Sequence, residues 1–130
     1  MADILIIDDD PDFRRIVAQT LSAEGHEISE AKAGIDGIAA FHARHPALVI
    51  IEIMMSAKLE IIHELRREAP DLQILALSGN IGIAAGYDFD MATILGANAV
   101  LEKSFNVSEL SDTVEMLLLP QRRSTVAMAA

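Results

Sequence analysis

Aliphatic runs and helical repeats alternate along this chain. Ile4-Leu5-Ile6-Ile7 is continuously apolar and stops at Asp8-Asp9-Asp10, the pattern of a strand buried on both faces. Asp10 can cap a helix with Pro11 at its first position, in which Phe13, Ile16, Val17, Thr20 and Leu21 recur at helical spacing until Gly25. His26 to Ala31 predicts a weaker strand, and Ile35, Ile38, Ala39 and Phe41 predict a second helix, weakened by Gly37 and stopped before Pro46. Leu48-Val49-Ile50-Ile51-Glu52-Ile53 is the most hydrophobic run, closed by an acid as the first is, and predicts the central strand. Leu59, Ile61, Ile62 and Leu65 then share a helical face up to Pro70, and Leu72 to Leu77 predicts a fourth strand ending at Ser78-Gly79-Asn80. A helix around Tyr87 to Leu95 leads through Gly96 to a short strand, Ala99-Val100-Leu101. Asn106, with Glu109 three residues on, opens a capped helix bearing Leu110, Val114, Leu117 and Leu118, and Pro120 ends it.

Five strands alternating with five helices through short loops predict a parallel sheet, because parallel strands need crossovers and the crossovers cover both faces. The fold class is α/β, a doubly wound three-layer sandwich. Folds of this kind place ligands at the carboxyl ends of the strands, beside the switch point in strand order.

Composition narrows the function. The 130 residues make room for one domain with a core of its own. Twenty acidic against ten basic side chains give a net charge of -10, which repels phosphate backbones and anionic membrane surfaces, so neither nucleic acid nor membrane is an expected partner. The chain has no cysteine, which removes disulfides, thiolate metal sites and cysteine nucleophiles. The short apolar stretch after Met1 lacks the charged and long apolar regions of a signal peptide, and no run approaches the roughly 20 residues that span a bilayer. A cytoplasmic protein is expected.

The candidate chemistry stands at the strand ends: Asp8 and Asp9 after the first strand, Glu52 after the third, Ser78 after the fourth and Lys103 after the fifth. Converging carboxylates repel one another unless a cation joins them, and hard oxygen ligands suit Mg²⁺ with retained waters. A hydroxyl and an ammonium beside a metal-held carboxylate are what a transferring phosphoryl group requires, since its oxygens need neutralisation on several sides. Each residue also has a plainer reading. Acids at strand ends serve as helix caps, a serine in Ser-Gly-Asn serves a turn, and a lysine after a strand is ordinarily solvated. The histidines His26, His42, His45 and His63 share no helical face and read as surface or boundary residues, not zinc ligands.

At these residues the chain resembles the receiver domain of two-component response regulators, from Asp3 to about Leu119. ILIIDDDP is similar to the family's opening acidic pair, LVIIEIMM to the strand carrying its phosphoacceptor, ALSG to its switch hydroxyl and GANAVLEKSF to its lysine segment. The resemblance implies the flavodoxin-like strand order 2-1-3-4-5. It makes Asp8, Asp9, Glu52 and the backbone carbonyl of Met54 the Mg²⁺ ligands. Glu52 takes the phosphoacceptor position, with Ser78 and Lys103 beside it.

Four departures bear on that mechanism. The family's phosphoacceptor is aspartate and this sequence has Glu52, whose extra methylene displaces the carboxylate in an in-line transfer sensitive to misplacement of about 1 Å. The stretch Met54 to Glu60 lacks the family's proline and aspartate-glycine turn and is shorter by about two residues. The aromatic switch position falls on Val100, and the proline after the lysine is Ser104. All four point to an atypical receiver with phosphate control weakened or lost.

The expected function is a stand-alone receiver in a phosphorelay, not an enzyme, acting through protein contacts. Its expected partners are a sensor histidine kinase or a downstream protein, docking on helix four, strand five and helix five, or a second copy as a homodimer. A functional Mg²⁺-dependent phosphoacceptor is the alternative. A flavodoxin-like small-molecule domain is a weaker one, since Tyr87 is the only tyrosine and tryptophan is absent. The residues from 120 to 130, a small basic cluster followed by small side chains, are expected to form a frayed tail.

Overall fold

β1 (Asp3–Ile7) and β3 (Leu48–Glu52) are the central pair of a parallel sheet because nothing in either apolar run asks for water. Every residue of β3 is buried, and four of the five in β1 are. A computed structural model describes residues 1–32, 34–53, 56–80 and 82–120, without the side chains of 56–58. The remaining elements are α1 (Pro11–Ala23), β2 (Glu27–Ala31), α2 (Gly34–Arg44), α3 (Ser56–Glu68), β4 (Gln73–Ser78), α4 (Gly82–Leu95), β5 (Ala99–Glu102) and α5 (Val107–Leu118). The sheet order is β2-β1-β3-β4-β5, all pairs parallel, as expected. The order reverses between β1 and β3, so the carboxyl ends of those two strands flank the crevice where a ligand can sit.

Side chains alternate across each strand, and the alternation sorts the core into two layers. Leu5, Ile7, Val49 and Ile51 pack with Phe41 of α2, with Leu59, Ile62 and Leu65 of α3, and with Ala92 of α4. Ile4, Ile6, Leu48 and Ile50 pack with Val17 and Leu21 of α1 and with Leu110, Val114 and Leu117 of α5. Each fully buried aliphatic side chain contributes about 1.5–3 kcal/mol, and this central block makes the strand ends a rigid platform.

The caps fall where the sequence places them. Asp10 Oδ1 accepts from the backbone N–H of Asp12 at 3.0 Å and of Phe13 at 3.2 Å, opening α1. Asn106 and Glu109 form a reciprocal capping box at α5.

Three details differ from the pattern. α4 starts at Gly82, five residues before the apolar repeat suggests, because its buried face is made of small side chains, Ala85 and Ala92, while Ile83, Tyr87 and Ile94 face outward. Ile35, a marker of α2, is likewise exposed, and Gly37 and Phe41 face the core instead. His26 is buried, its Nδ1 accepting the Ala2 N–H at 3.2 Å.

Arg66 ties the far ends of α3 and α4 together. Its guanidinium donates to the carbonyls of Gly96, Ala69 and Pro70 at 2.8–3.1 Å and to Asn98 Oδ1 at 2.7 Å. Burial lowers its pKa, and the Asp71 charge opposes that shift. Gly96 adopts φ +130°, and a Cβ there would stand 2.8 Å from Arg66 Cβ and Cγ, so the turn requires glycine.

Among the described residues no helix is long and apolar enough to cross a membrane. The expected tail lies, after Pro120, outside the described residues, as does Met54.

Candidate functional site

The acidic turn after β1 folds back on itself before α1 begins. Asp8 is buried, held by its N–H to Ala31 O at 3.1 Å and by the Asp10 N–H donating to its Oδ1 at 2.9 Å. Arg14, on the first turns of α1, donates from Nη1 to the Asp8 carbonyl at 2.7 Å and from Nε to Glu30 at 2.9 Å. Asp9 is exposed beside it.

Lys103 reaches this carboxylate from the other end of the sequence. β5 stops at Glu102, the Lys103 N–H donates to Ser78 O at 2.8 Å, and the side chain turns inward. Its Nζ lies 3.0 Å from Asp8 Oδ2 and 3.3 Å from Oδ1, with the hydrogen bond directed at Oδ1. The ammonium also sits 4.4 Å from the centroid of Phe13, whose ring meets Phe105 edge-on at 5.7 Å. The cation–π contact with Phe13 fixes where the lysine charge ends.

Glu52 closes β3 and is 4% exposed, with the register placing it beside Leu77 and one residue past Ile51, the partner of Ile7. Ser78, the last residue of β4, is fully buried. Its hydroxyl donates to Asp88 Oδ2 at 3.0 Å and accepts the Asn80 N–H at 3.1 Å, while Asn80 Nδ2 donates to the same Asp88 oxygen at 2.7 Å.

The fold thus brings Asp8, Asp9, Glu52, Ser78 and Lys103 to the carboxyl ends of neighbouring strands, and joins Asp8 to Lys103 directly. Ser78 is turned instead to Asp88 on α4. Sequence reasoning missed Asp88, Asn80, Arg14 and Phe13 as parts of this region. Asp88 leaves no local signal, since it is ten residues beyond Ser78 on a helix whose start the apolar pattern conceals.

Among the described residues no group of three or more carboxylate, histidine or cysteine ligands is close enough to hold a metal ion. Asp8 Oδ2, however, is buried without a hydrogen-bond donor of its own, only the Lys103 charge beside it. Such an oxygen suits a hard cation bound through one or two carboxylates and retained waters, the habit of Mg²⁺, and not a closed protein cage.

Where the resemblance places a switch aromatic, Val100 lines a hollow of about 270 Å³ with Phe89, Phe105 and Glu109. An apolar hollow of about 460 Å³ opens at the opposite end of the sheet, near Ala47 and Gln73, away from the acids and the lysine.

Comparison with known proteins gives one answer. The sequence model of the response regulator receiver domain matches residues 4–115. The nitrogen assimilation regulatory protein NtrX of Azorhizobium caulinodans is 32% identical over 120 residues, covering 89% of this chain and 26% of that protein. Among solved structures, the receiver domain of NtrX from Brucella abortus superposes with a TM-score of 0.81 at 32% identity, covering 89% of this chain and 98% of that one. The response regulator TrrA from Thermotoga maritima, in complex with Mg²⁺-BeF, gives a TM-score of 0.80 at 32% identity, covering 91% and 100%. The chain spans 26% to 54% of the length of the first curated relatives it matches.

Proposed function

This chain belongs to the response regulator receiver family, and we propose that it is a receiver whose phosphoacceptor position holds Glu52, so that it signals through protein contacts with phosphate control weakened. The observation that carries this reading is the grouping of Asp8, Glu52, Ser78 and Lys103 at the strand ends with a glutamate, not an aspartate, closing β3. The Asp8–Lys103 pair supplies the negative and positive charges a phosphoryl group and its counterion need. The longer acid side chain disturbs the third corner.

By the family's pattern Asp8, Asp9 and Glu52 would hold Mg²⁺, Asp8 being the one whose buried Oδ2 lacks a hydrogen-bond donor, and the ion when bound would neutralise phosphoryl oxygens. Asp8 keeps its orientation through the Asp10 N–H, and Lys103 keeps its charge over the site through Phe13. In-line attack from a carboxylate displaced by about one methylene loses most of its advantage, because effective molarity falls steeply with misalignment.

The partner is a cytoplasmic protein, a sensor histidine kinase or a downstream target, docking on α4, β5 and α5. Support comes from the apolar side chains those helices expose, Ile83, Tyr87 and Ile94 on α4 and Val107 on α5. The net charge of -10 argues against a nucleic-acid or membrane target for this region.

Amide NMR spectra of the full chain, recorded with Mg²⁺ and then with added beryllium fluoride as a phosphoryl mimic, test the reading. Signals of α4, β5 and α5 are expected to stay in place on addition of the mimic. Their displacement in the unmodified chain would make this a working phosphate-controlled receiver.

A further inference from the structure

The Ser78 hydroxyl has one proton to donate, and that proton is committed to Asp88. Ser78 is fully buried. The oxygen's acceptor capacity is used by the Asn80 N–H, and Asp88 Oδ2 gathers both the hydroxyl and Asn80 Nδ2. β4, the β4–α4 loop and α4 therefore meet in one closed ring of three hydrogen bonds.

We infer that Asp88 is a positioning residue, whose carboxylate holds the Ser78 hydroxyl toward α4 so that an oxyanion bound at the strand ends must take the same proton to engage it. This deepens the receiver reading and rests on it for the identity of the oxyanion, a phosphoryl group. Both acceptors carry negative charge, so the exchange replaces one charge-assisted hydrogen bond by another and lies near balance. Asp88 keeps Asn80 after releasing Ser78, and is not left buried without a donor. What changes is the bond that ties β4 to α4. Because α4 also exposes Ile83 and Tyr87, 94% and 64% accessible, loosening that bond alters the footing of an outward apolar surface.

A purely structural role would leave Asp88 bracing the loop through Asn80, with no effect on where the hydroxyl points. Two measurements on the full chain separate the cases. In the unliganded chain, the Ser78 Hα–Hβ couplings report its χ1 rotamer. A single rotamer is expected in the unmodified protein and averaging in Asp88→Ala, with Asp88→Asn between them. A single, unchanged rotamer in both variants would overturn the proposal, and this result does not depend on any phosphoryl chemistry.

The second measurement titrates beryllium fluoride with Mg²⁺ into the Glu52→Asp chain, with and without Asp88→Ala. Freeing the hydroxyl from its competitor is expected to tighten binding about three- to tenfold. In a Ser78→Ala background the same Asp88→Ala change is expected to do nothing. An equal gain with and without Ser78, or no gain with Ser78 present, would contradict the inference. If the Glu52→Asp parent takes up no mimic at all, the reading that Glu52 alone weakens phosphate acceptance fails instead, and the rotamer measurement alone decides the role of Asp88.

Discussion

Lys103 Nζ lies 3.0 Å from Asp8 Oδ2, joining two residues 95 positions apart across the carboxyl ends of the sheet. The pair is uneven: the Asp8 side chain is 2% exposed and that of Lys103 18%. Its contribution therefore falls between that of a surface pair, at most about 1 kcal/mol, and of a fully buried one, whose rupture costs about 3–5 kcal/mol.

Lys103→Met keeps the stem over Phe13 and removes the charge. The expected loss of stability is about 2 kcal/mol, measured by urea unfolding, because Asp8 is left buried without its cation. A variant as stable as the parent would mean that Asp8 is solvated in solution and that the pair does not organise the site.

Mg²⁺ is the second test of the same carboxylate. At a concentration ten times its dissociation constant, the ion stabilises the folded chain by about 1.4 kcal/mol, a rise in Tm of about 5 °C. The rise is expected to vanish in Asp8→Asn and to be larger in Glu52→Asp than in the unmodified chain. Calorimetry with calcium- and magnesium-free controls reads it directly.

The Arg66 clamp is structural and remote from the acids. Arg66→Ala removes hydrogen bonds to Gly96, Ala69, Pro70 and Asn98 and is expected to cost about 2–3 kcal/mol. Arg66→Lys is expected to recover less than half, since one ammonium cannot span that fan of acceptors. Equal stability of the lysine variant would show that charge alone matters there.

Gly96→Ala tests the adjoining turn. A φ of +130° is strained for any residue with a Cβ, and the new methyl meets Arg66. A loss of about 2–4 kcal/mol is expected in thermal unfolding. A neutral result would require the α4–β5 turn to rearrange, visible as altered amide shifts at Ala97 and Asn98.

Much of the fold was legible because its strongest signals are local. Ile4 to Ile7 and Leu48 to Ile51 are apolar without interruption, and only a strand covered on both faces uses such a run. Asp10 and Asn106 announce their helices by cap chemistry that neighbours cannot obscure. α4 was less legible, since it turns alanines inward and isoleucines outward, the reverse of an amphipathic pattern. At the site, the acids, the serine and the lysine could be read from their places at strand ends. The Ser78–Asp88 bond could not, because it depends on the azimuth at which α4 packs, which no spacing encodes. Nor could the burial of His26, which follows from its contact with the Ala2 N–H.

The central claim is that Glu52 weakens phosphate acceptance in an otherwise receiver-like site. Incubation with Mg²⁺ and acetyl phosphate, followed by intact-mass analysis of the unmodified chain and of Glu52→Asp, tests it most directly. A phosphate-sized gain is expected in Glu52→Asp and not in the unmodified chain. A gain in the unmodified chain that disappears in Glu52→Gln would contradict the claim and make Glu52 a working phosphoacceptor.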